Sequence, residues 1–311
     1  MALGAILRFA NLDLKPASSI EIATIGYSLG HSFSQIPLDQ LLSVEALLAP
    51  LRFDSGIDYG EVFAKLRLES THPPIYFWLT HWWISLWTEN GEIASLQVTR
   101  SLSVIFGVLT IPAMFNLAWI SLRSRLAAHT AALLMAISPY GIYLAQEARH
   151  YTLSIFWVIL SLTCLIKSLQ LLQQKKSIPI WLGMSWILVN GLGVATHYFY
   201  VLALVAMVLS IAIFYLAQGH KISFKYWKNL MLVVLGTLAI TVVWLPFVTD
   251  ISSNELTSWI ETSYELKDLF LPFLRFGGWM MTMVMLLPME SVPTIIAIVS
   301  GQRMVKLLLY R

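Results

Sequence analysis

The sequence predicts an all-α fold, a polytopic bundle of transmembrane helices behind a long first loop. Three observations carry this. The chain of 311 residues is 58% hydrophobic and 12% charged, about half the charge of a soluble domain. Its mean hydropathy is +0.72. Beyond residue 95 it is a succession of long apolar runs near the ~20 residues that cross a hydrocarbon core.

The elements follow in chain order. Residues 2–10 are apolar but too short to cross the ~30 Å core. The chain is therefore expected to begin inside its first span, with its true start upstream. Residues 11–72 mix polar and apolar and close at His72-Pro73-Pro74. Within them Tyr59, Val62, Phe63 and Leu66 fall at i, i+3, i+4 and i+7, an amphipathic helical stripe. Leu38, Leu41 and Leu42 begin a similar one. Such short helices either lie on the membrane surface or pack on each other as ordinary loop helices. Residues 75–88 are short and rich in tryptophan, with Tyr76 and Phe77, the composition of an interfacial belt.

Apolar runs then cover 96–122, 127–143, 151–172, 178–195, 198–217, 229–249, 270–288 and 292–309. The last holds Arg303 and Lys306, which a full crossing tolerates poorly, so the chain is expected either to stop before its native end or to lose its pattern there. The division is one membrane-embedded domain, 1–311, with 11–95 as loop and juxtamembrane helices and 96–311 as transmembrane helices.

Charge assigns the sides. Arg123, Arg125, Lys167, Lys175, Lys176, Lys221, Lys225 and Lys228 fall in or beside alternate loops. The positive-inside rule makes their shared face cytoplasmic. The first loop, Gln146–His150, the turn at His197 and Asp250–Asp268 then share the outer face, provided that 75–88 does not span or that an even number of crossings is gained elsewhere.

Several classes are excluded or unsupported. The one cysteine, Cys164, lies in an apolar run, which excludes an internal disulfide and a cysteine metal site. No basic segment precedes the first apolar run as in a cleavable signal peptide. There is no P-loop, no GxGxxG, no nucleophile elbow and no HExxH. No basic stripe interleaved with aromatics suggests nucleic acid.

The outer face collects the ionisable residues, which are costly at membrane borders unless paired or functional. Glu21 and His72 belong to the first loop. Gln146, Glu147, Arg149, His150 and Tyr151 lie between two apolar runs, and His197-Tyr198 marks another boundary. Each has a plain reading: Glu147 and Arg149 as solvated residues beside a helix start, His72 as punctuation before one, His197-Tyr198 as an interfacial pair. Together on one face they are the convergent polar groups that a site needs.

Arg8-Phe9-Ala10-Asn11-Leu12-Asp13-Leu14-Lys15-Pro16, then Glu21 and Thr24, His72-Pro73-Pro74, Gln146-Glu147-Ala148-Arg149-His150-Tyr151 and Thr196-His197-Tyr198-Phe199 resemble the integral-membrane GT-C glycosyltransferases. The similarity is to the bacterial, family 39-like relatives of the dolichyl-phosphate-mannose protein mannosyltransferases and aminoarabinose lipid A transferases, over residues 8 to 250. It implies a GT-C fold in the bacterial plasma membrane, with the active site on the extracytoplasmic side. It also implies a polyprenyl-phosphate-sugar donor and a glycan, lipid or protein acceptor.

In that family the first loop bears an Asp-Glu pair two residues after an aromatic. Here Ile20 stands at the Asp and Ser18 at the aromatic, so only Glu21 remains. Either Glu21 has taken the role of base, or Glu147 has, or this copy is inactive. The resulting expectation makes Glu21 and Glu147 catalytic, with Glu21 the general base or the ligand of an optional divalent ion, Mg or Mn. Arg149, His72 and His197 bind the donor phosphate, joined by Tyr151 and Lys15. The alternatives are a transporter, which would place polar groups in mid-span, and an inactive glycosyltransferase fragment.

Overall fold

The computed structural model describes residues 1–33, 36, 41–70, 72–218, 222–244 and 246–247. Two compact units divide the chain. Met1–Ile137 with Gly141–Ser258 is one, and Ser138–Tyr140 with Trp259–Arg311 is the other. The expected runs 270–288 and 292–309, the loop 250–268 and Leu38 lie outside the described residues.

Among the described residues every regular element is helical. Helix α1, Ala2–Phe9, precedes α2, Ser19–Ser28. Ser18 caps α2: its Oγ accepts from the Glu21 N–H at 3.3 Å, and its own N–H donates to Glu21 Oε2 at 3.2 Å. That reciprocal pair satisfies two donors that a helix start otherwise leaves open. Helix α3, Val44–Leu48, is followed by a 3-10 turn, Ala49–Leu51. The stripe begun at Leu38 does not continue as a helix at Leu41 and Leu42; the helix starts at Val44, behind the capping Ser43.

Helix α4, Tyr59–Glu69, forms where the second stripe predicts it, and Asp58 and Glu61 cap it as Ser18 and Glu21 cap α2. It buries Val62 and Leu66 against Phe77. Helix α5, Ile75–Ser85, has 11 residues, about 16 Å at 1.5 Å per residue, and so cannot cross a bilayer.

The remaining helices are α6, Leu96–Leu122, α7, Arg125–Ile137, α8, Pro139–Ala145, α9, Tyr151–Gln173, α10, Ile180–Thr196, α11, Tyr200–Gln218, and α12, Phe224–Val242. Helices α6, α9 and α11 are long and apolar enough to cross a membrane, and α7 with α8 makes a fourth crossing if the bent pair is one span. The chain thus has the helices of a membrane protein. The single run expected at 127–143 is bent by 54° between α7 and α8. Pro139 has no N–H and disfavours the α conformation at Ser138.

Two hydrogen bonds bring the basic ends together. Gln170 Nε2 donates to the Ile120 carbonyl at 2.8 Å, joining the ends of α6 and α9. Asn229 Nδ2 donates to the Ile178 carbonyl at 2.7 Å, joining the starts of α10 and α12. Mid-span polar groups are also present. Ser161 donates to Asn190 Oδ1 at 2.6 Å and accepts from Trp186 Nε1 at 2.8 Å. Asn190 Nδ2 reaches Thr237 at 3.1 Å, and the Tyr200 hydroxyl reaches Asn190 at 3.2 Å. This network ties α9 to α10, α11 and α12, as polar side chains do between helices in lipid.

Candidate functional site

The turn at residues 146–150, between α8 and α9, is the hub of the polar end. Its residues grip several separate segments of the chain. Gln146 Nε2 donates to the carbonyls of Leu7 and Ala10 at 3.2 and 3.0 Å, closing the end of α1. Glu147 Oε1 accepts from Lys15 Nζ at 2.7 Å, and that ammonium also sits 3.9 Å over the Tyr143 ring. The Ala148 N–H donates to Glu21 Oε1 at 2.9 Å. Arg149 Nη1 donates to Thr24 Oγ1 at 2.9 Å, and Nη2 to the Tyr151 hydroxyl at 3.2 Å. The His150 ring packs against those of His72 and His197.

Ser103 on α6 holds the turn from beneath. Its hydroxyl donates to the Arg149 carbonyl at 2.9 Å and meets the Tyr76 hydroxyl at 2.7 Å. The Thr152 hydroxyl donates to the Ser103 carbonyl at 2.8 Å.

Glu21 is wholly buried. Each of its oxygens has two donors: Arg100 Nε and the Ala148 N–H on Oε1, Arg100 Nη2 and the Ser18 N–H on Oε2. Burial alone would push this carboxyl up. The hydrogen bonds from Arg100, Ala148 and Ser18 outweigh it, and the group is held below the usual carboxylate range. Arg100 also donates to the carbonyls of Leu12, Lys15 and Pro16. It thereby folds the segment 12–21 onto α6. So occupied, Glu21 does not suit a divalent ion, because its lone pairs already face donors and a guanidinium lies against it. Among the described residues no group of three His, Cys, Asp or Glu side chains is arranged to hold a metal ion.

The histidines form a second group. Ring centroids of His150 and His197 are 4.4 Å apart, those of His72 and His150 5.1 Å, and those of His72 and His197 6.1 Å. Burial, then the charge of Arg149, then His197 lowers His72 to about 3. His150 is depressed well below its usual value, first by burial. His197 is lowered by burial and by Arg149. All three rings are therefore neutral near pH 7. Neither ring nitrogen of His150, nor Nε of Arg149, has a hydrogen-bond partner among the described residues.

Of the residues singled out from sequence, Lys15 meets Glu147, Arg149 meets Tyr151, and His72 meets His197. Glu21 joins the turn through Ala148 and stands away from solvent. Glu147 keeps a little exposure, with 11% of its side chain accessible. Sequence reasoning passed over Arg100, which was signalled by a lone guanidinium inside an apolar run. It also missed Ser103 and Tyr76, for which local pattern holds no signal, and the part His150 plays between two other histidines. Comparison with protein-family models, with curated proteins and with solved structures finds no match.

Proposed function

We propose that the chain is a membrane glycosyltransferase that moves a sugar from a polyprenyl-phosphate donor to an acceptor hydroxyl on the extracytoplasmic side. The observation that supports it most is the turn at 146–150. It sets a mostly buried but not fully enclosed carboxylate, Glu147, two residues from a guanidinium, Arg149, whose neighbours are three histidines, at one end of an apolar bundle. Sugar transfer needs that combination. A base takes the proton of the attacking hydroxyl, and cations or donors receive the charge of the departing phosphate.

Glu147 is the general base in this reading, oriented by Lys15. Glu21 is a positioning residue, since both its oxygens are engaged by Arg100 and backbone donors. Arg149, His72 and His197 bind the phosphate, and Tyr151 orients Arg149. As the acceptor oxygen bonds to the anomeric carbon, the bond from that carbon to the phosphate oxygen breaks. Its electrons leave with the polyprenyl phosphate, and the hydroxyl proton passes to Glu147. The prenyl tail would lie along the apolar spans. A cavity of about 300 Å³ between α10, α11 and α12, lined by Trp186, Val201, Val205, Met207, Val233 and Leu238, suits such a chain.

The polar network of Ser161, Asn190, Trp186, Tyr200 and Thr237 would suit a transport path only if its groups were open to a solute. They are bonded to one another, which favours a role in packing. The test is release of polyprenyl phosphate from polyprenyl-phosphate hexoses and pentoses by the purified protein in lipid, with membrane extract as acceptor. Release that depends on Glu147 supports the reading. No release with any donor, together with solute uptake by proteoliposomes, would replace it with a transporter.

A further inference from the structure

We propose that the cluster of His72, His150 and His197 binds a phosphate-type oxyanion together with one proton, and that His72 takes that proton. The inference rests on the glycosyltransferase reading for the source of the anion and deepens it. It assigns a proton count to the phosphate end of that site.

Geometry carries it. Three imidazoles stand ring to ring, with centroids 4.4 to 6.1 Å apart. The central one, His150, is 0% exposed and has two nitrogens without a partner among the described residues. A buried polar atom left open is costly. Two on one ring, beside the open Nε of Arg149, are donors or acceptors held ready for a ligand. Apart from Glu21, the groups around them are neutral or positive. His72 comes from the segment before α5 and Tyr76 from α5. Arg149 and His150 come from the 146–150 turn, Tyr151 from α9, and His197 and Tyr198 from the end of α10. Glu21 of α2 is already paired with Arg100. Tyr76, pushed up to about 12 chiefly by burial, stays a phenol. An anion is the ligand that such a surround attracts.

Hydrogen bonding distinguishes His72 from His197. His197 Nδ1 accepts from the Phe199 N–H at 3.0 Å. Its neutral form therefore carries the proton on Nε2, where it can serve as a donor as it stands. Charging it would put a second proton against the Phe199 N–H. The Nδ1 of His72 faces the Ser70 hydroxyl at 3.1 Å. A hydroxyl can either donate or accept, so His72 can gain a proton without losing this bond. Without an anion, burial and Arg149 keep His72 neutral. With an anion in contact, the opposite charge favours the imidazolium. Binding and protonation are then linked, and each strengthens the other by the same factor.

The experiment measures binding to the full chain in detergent between pH 5 and pH 7. One probe is a short-chain prenyl phosphodiester and the other is inorganic sulfate, neither of which titrates in this range. Expected is a loss of diester affinity of about tenfold per pH unit as pH rises, the signature of one proton per anion, with matching proton uptake by calorimetry in two buffers. His72→Gln should abolish the slope. His197→Gln should weaken binding and keep the slope. A slope with the diester alone identifies a lipid headgroup as the ligand, and an equal slope with sulfate identifies a free oxyanion. Diester affinity that is flat with pH, or a slope that survives in His72→Gln, overturns the inference and leaves the glycosyltransferase reading standing. Failure of both probes to bind protein of unchanged melting temperature overturns both.

Discussion

Arg100 holds both carboxylate oxygens of Glu21, Nε to Oε1 at 2.8 Å and Nη2 to Oε2 at 2.9 Å, and neither side chain touches solvent. A guanidinium in an apolar span is costly alone. Here it joins the first loop to α6, and through the Ala148 N–H the same carboxylate steadies the turn that carries Glu147 and Arg149. Breaking one half of such a buried pair typically costs about 3–5 kcal/mol. Glu21→Gln and Arg100→Leu should each lower the melting temperature in detergent markedly. The sign with pH is fixed, because the folded-state pKa of Glu21 lies below its unfolded value. Its stabilisation is complete above the unfolded value of about 4.3 and is lost as pH falls through the folded one. The gap in melting temperature between wild type and Glu21→Gln should therefore be constant at neutral pH and close in acid. A gap that does not close would show that the carboxylate charge contributes nothing.

The long spans were legible because composition alone locates them: the run 96–122 and helix α6 coincide, and the run 151–172 ends one residue before α9 does. The division of 127–143 was legible only through Pro139. The site was half legible. Polar residues at span ends mark which end is polar, but not which of them meet. Glu21 illustrates the difference. Ser18 and Glu21 have the spacing of a capping box, and a second one stands at Asp58 and Glu61. That pattern identifies Glu21 as part of a helix start before any chemistry is considered. Its partner Arg100 is 79 residues away in sequence, and the three histidines are drawn from three separate segments. No local period records such meetings.

Glu147 differs from Glu21 in keeping some access to solvent and in having a charged partner, Lys15, that is itself partly exposed. In the proposed role of general base it should be sensitive to loss of charge without loss of fold. Glu147→Gln should reduce sugar transfer by about 10²–10⁴-fold at nearly unchanged melting temperature. Lys15→Ala should reduce it less, since only the orientation of the carboxylate is lost. Wild-type transfer by Glu147→Gln would remove it from the role.

Arg149 presents Nη1 to Thr24 and Nη2 to Tyr151, with Nε open. A planar fork set this way is not matched by an ammonium. Arg149→Lys should keep the protein folded and lower donor affinity about tenfold or more, while Tyr151→Phe, which removes one orienting bond, should have a smaller effect. Donor affinity equal to wild type in Arg149→Lys would show that the guanidinium serves the fold alone.

Burial holds His72 at about 3 against 6.5 for the free side chain, and His150 and His197 shift in the same direction. Between these values the unfolded chain binds more protons than the folded one, so stability rises with pH. Thermal melts from pH 4 to pH 7 should show this rise, and His72→Gln should flatten part of it. A melting temperature independent of pH across that range would mean that the histidines are charged within the fold.

The proposed orientation can be tested at the two ends of the bundle. Lys175 and Lys176 follow α9 at the end that Gln170 ties to α6, whereas Lys15 and the 146–150 turn occupy the opposite end of α9. Basic loops stay with the cytoplasm. Asp13 and Gln174 are both exposed, so single cysteines there, in a Cys164→Ala background, can report the two sides. In intact cells a membrane-impermeant maleimide should label Asp13→Cys and leave Gln174→Cys untouched until the cells are opened. The reverse pattern would put the turn and its carboxylate in the cytoplasm, where an extracytoplasmic acceptor cannot reach Glu147. Labelling of both from outside would mean that α9 does not cross, and the apolar bundle would then need a different environment from the bilayer assumed for it.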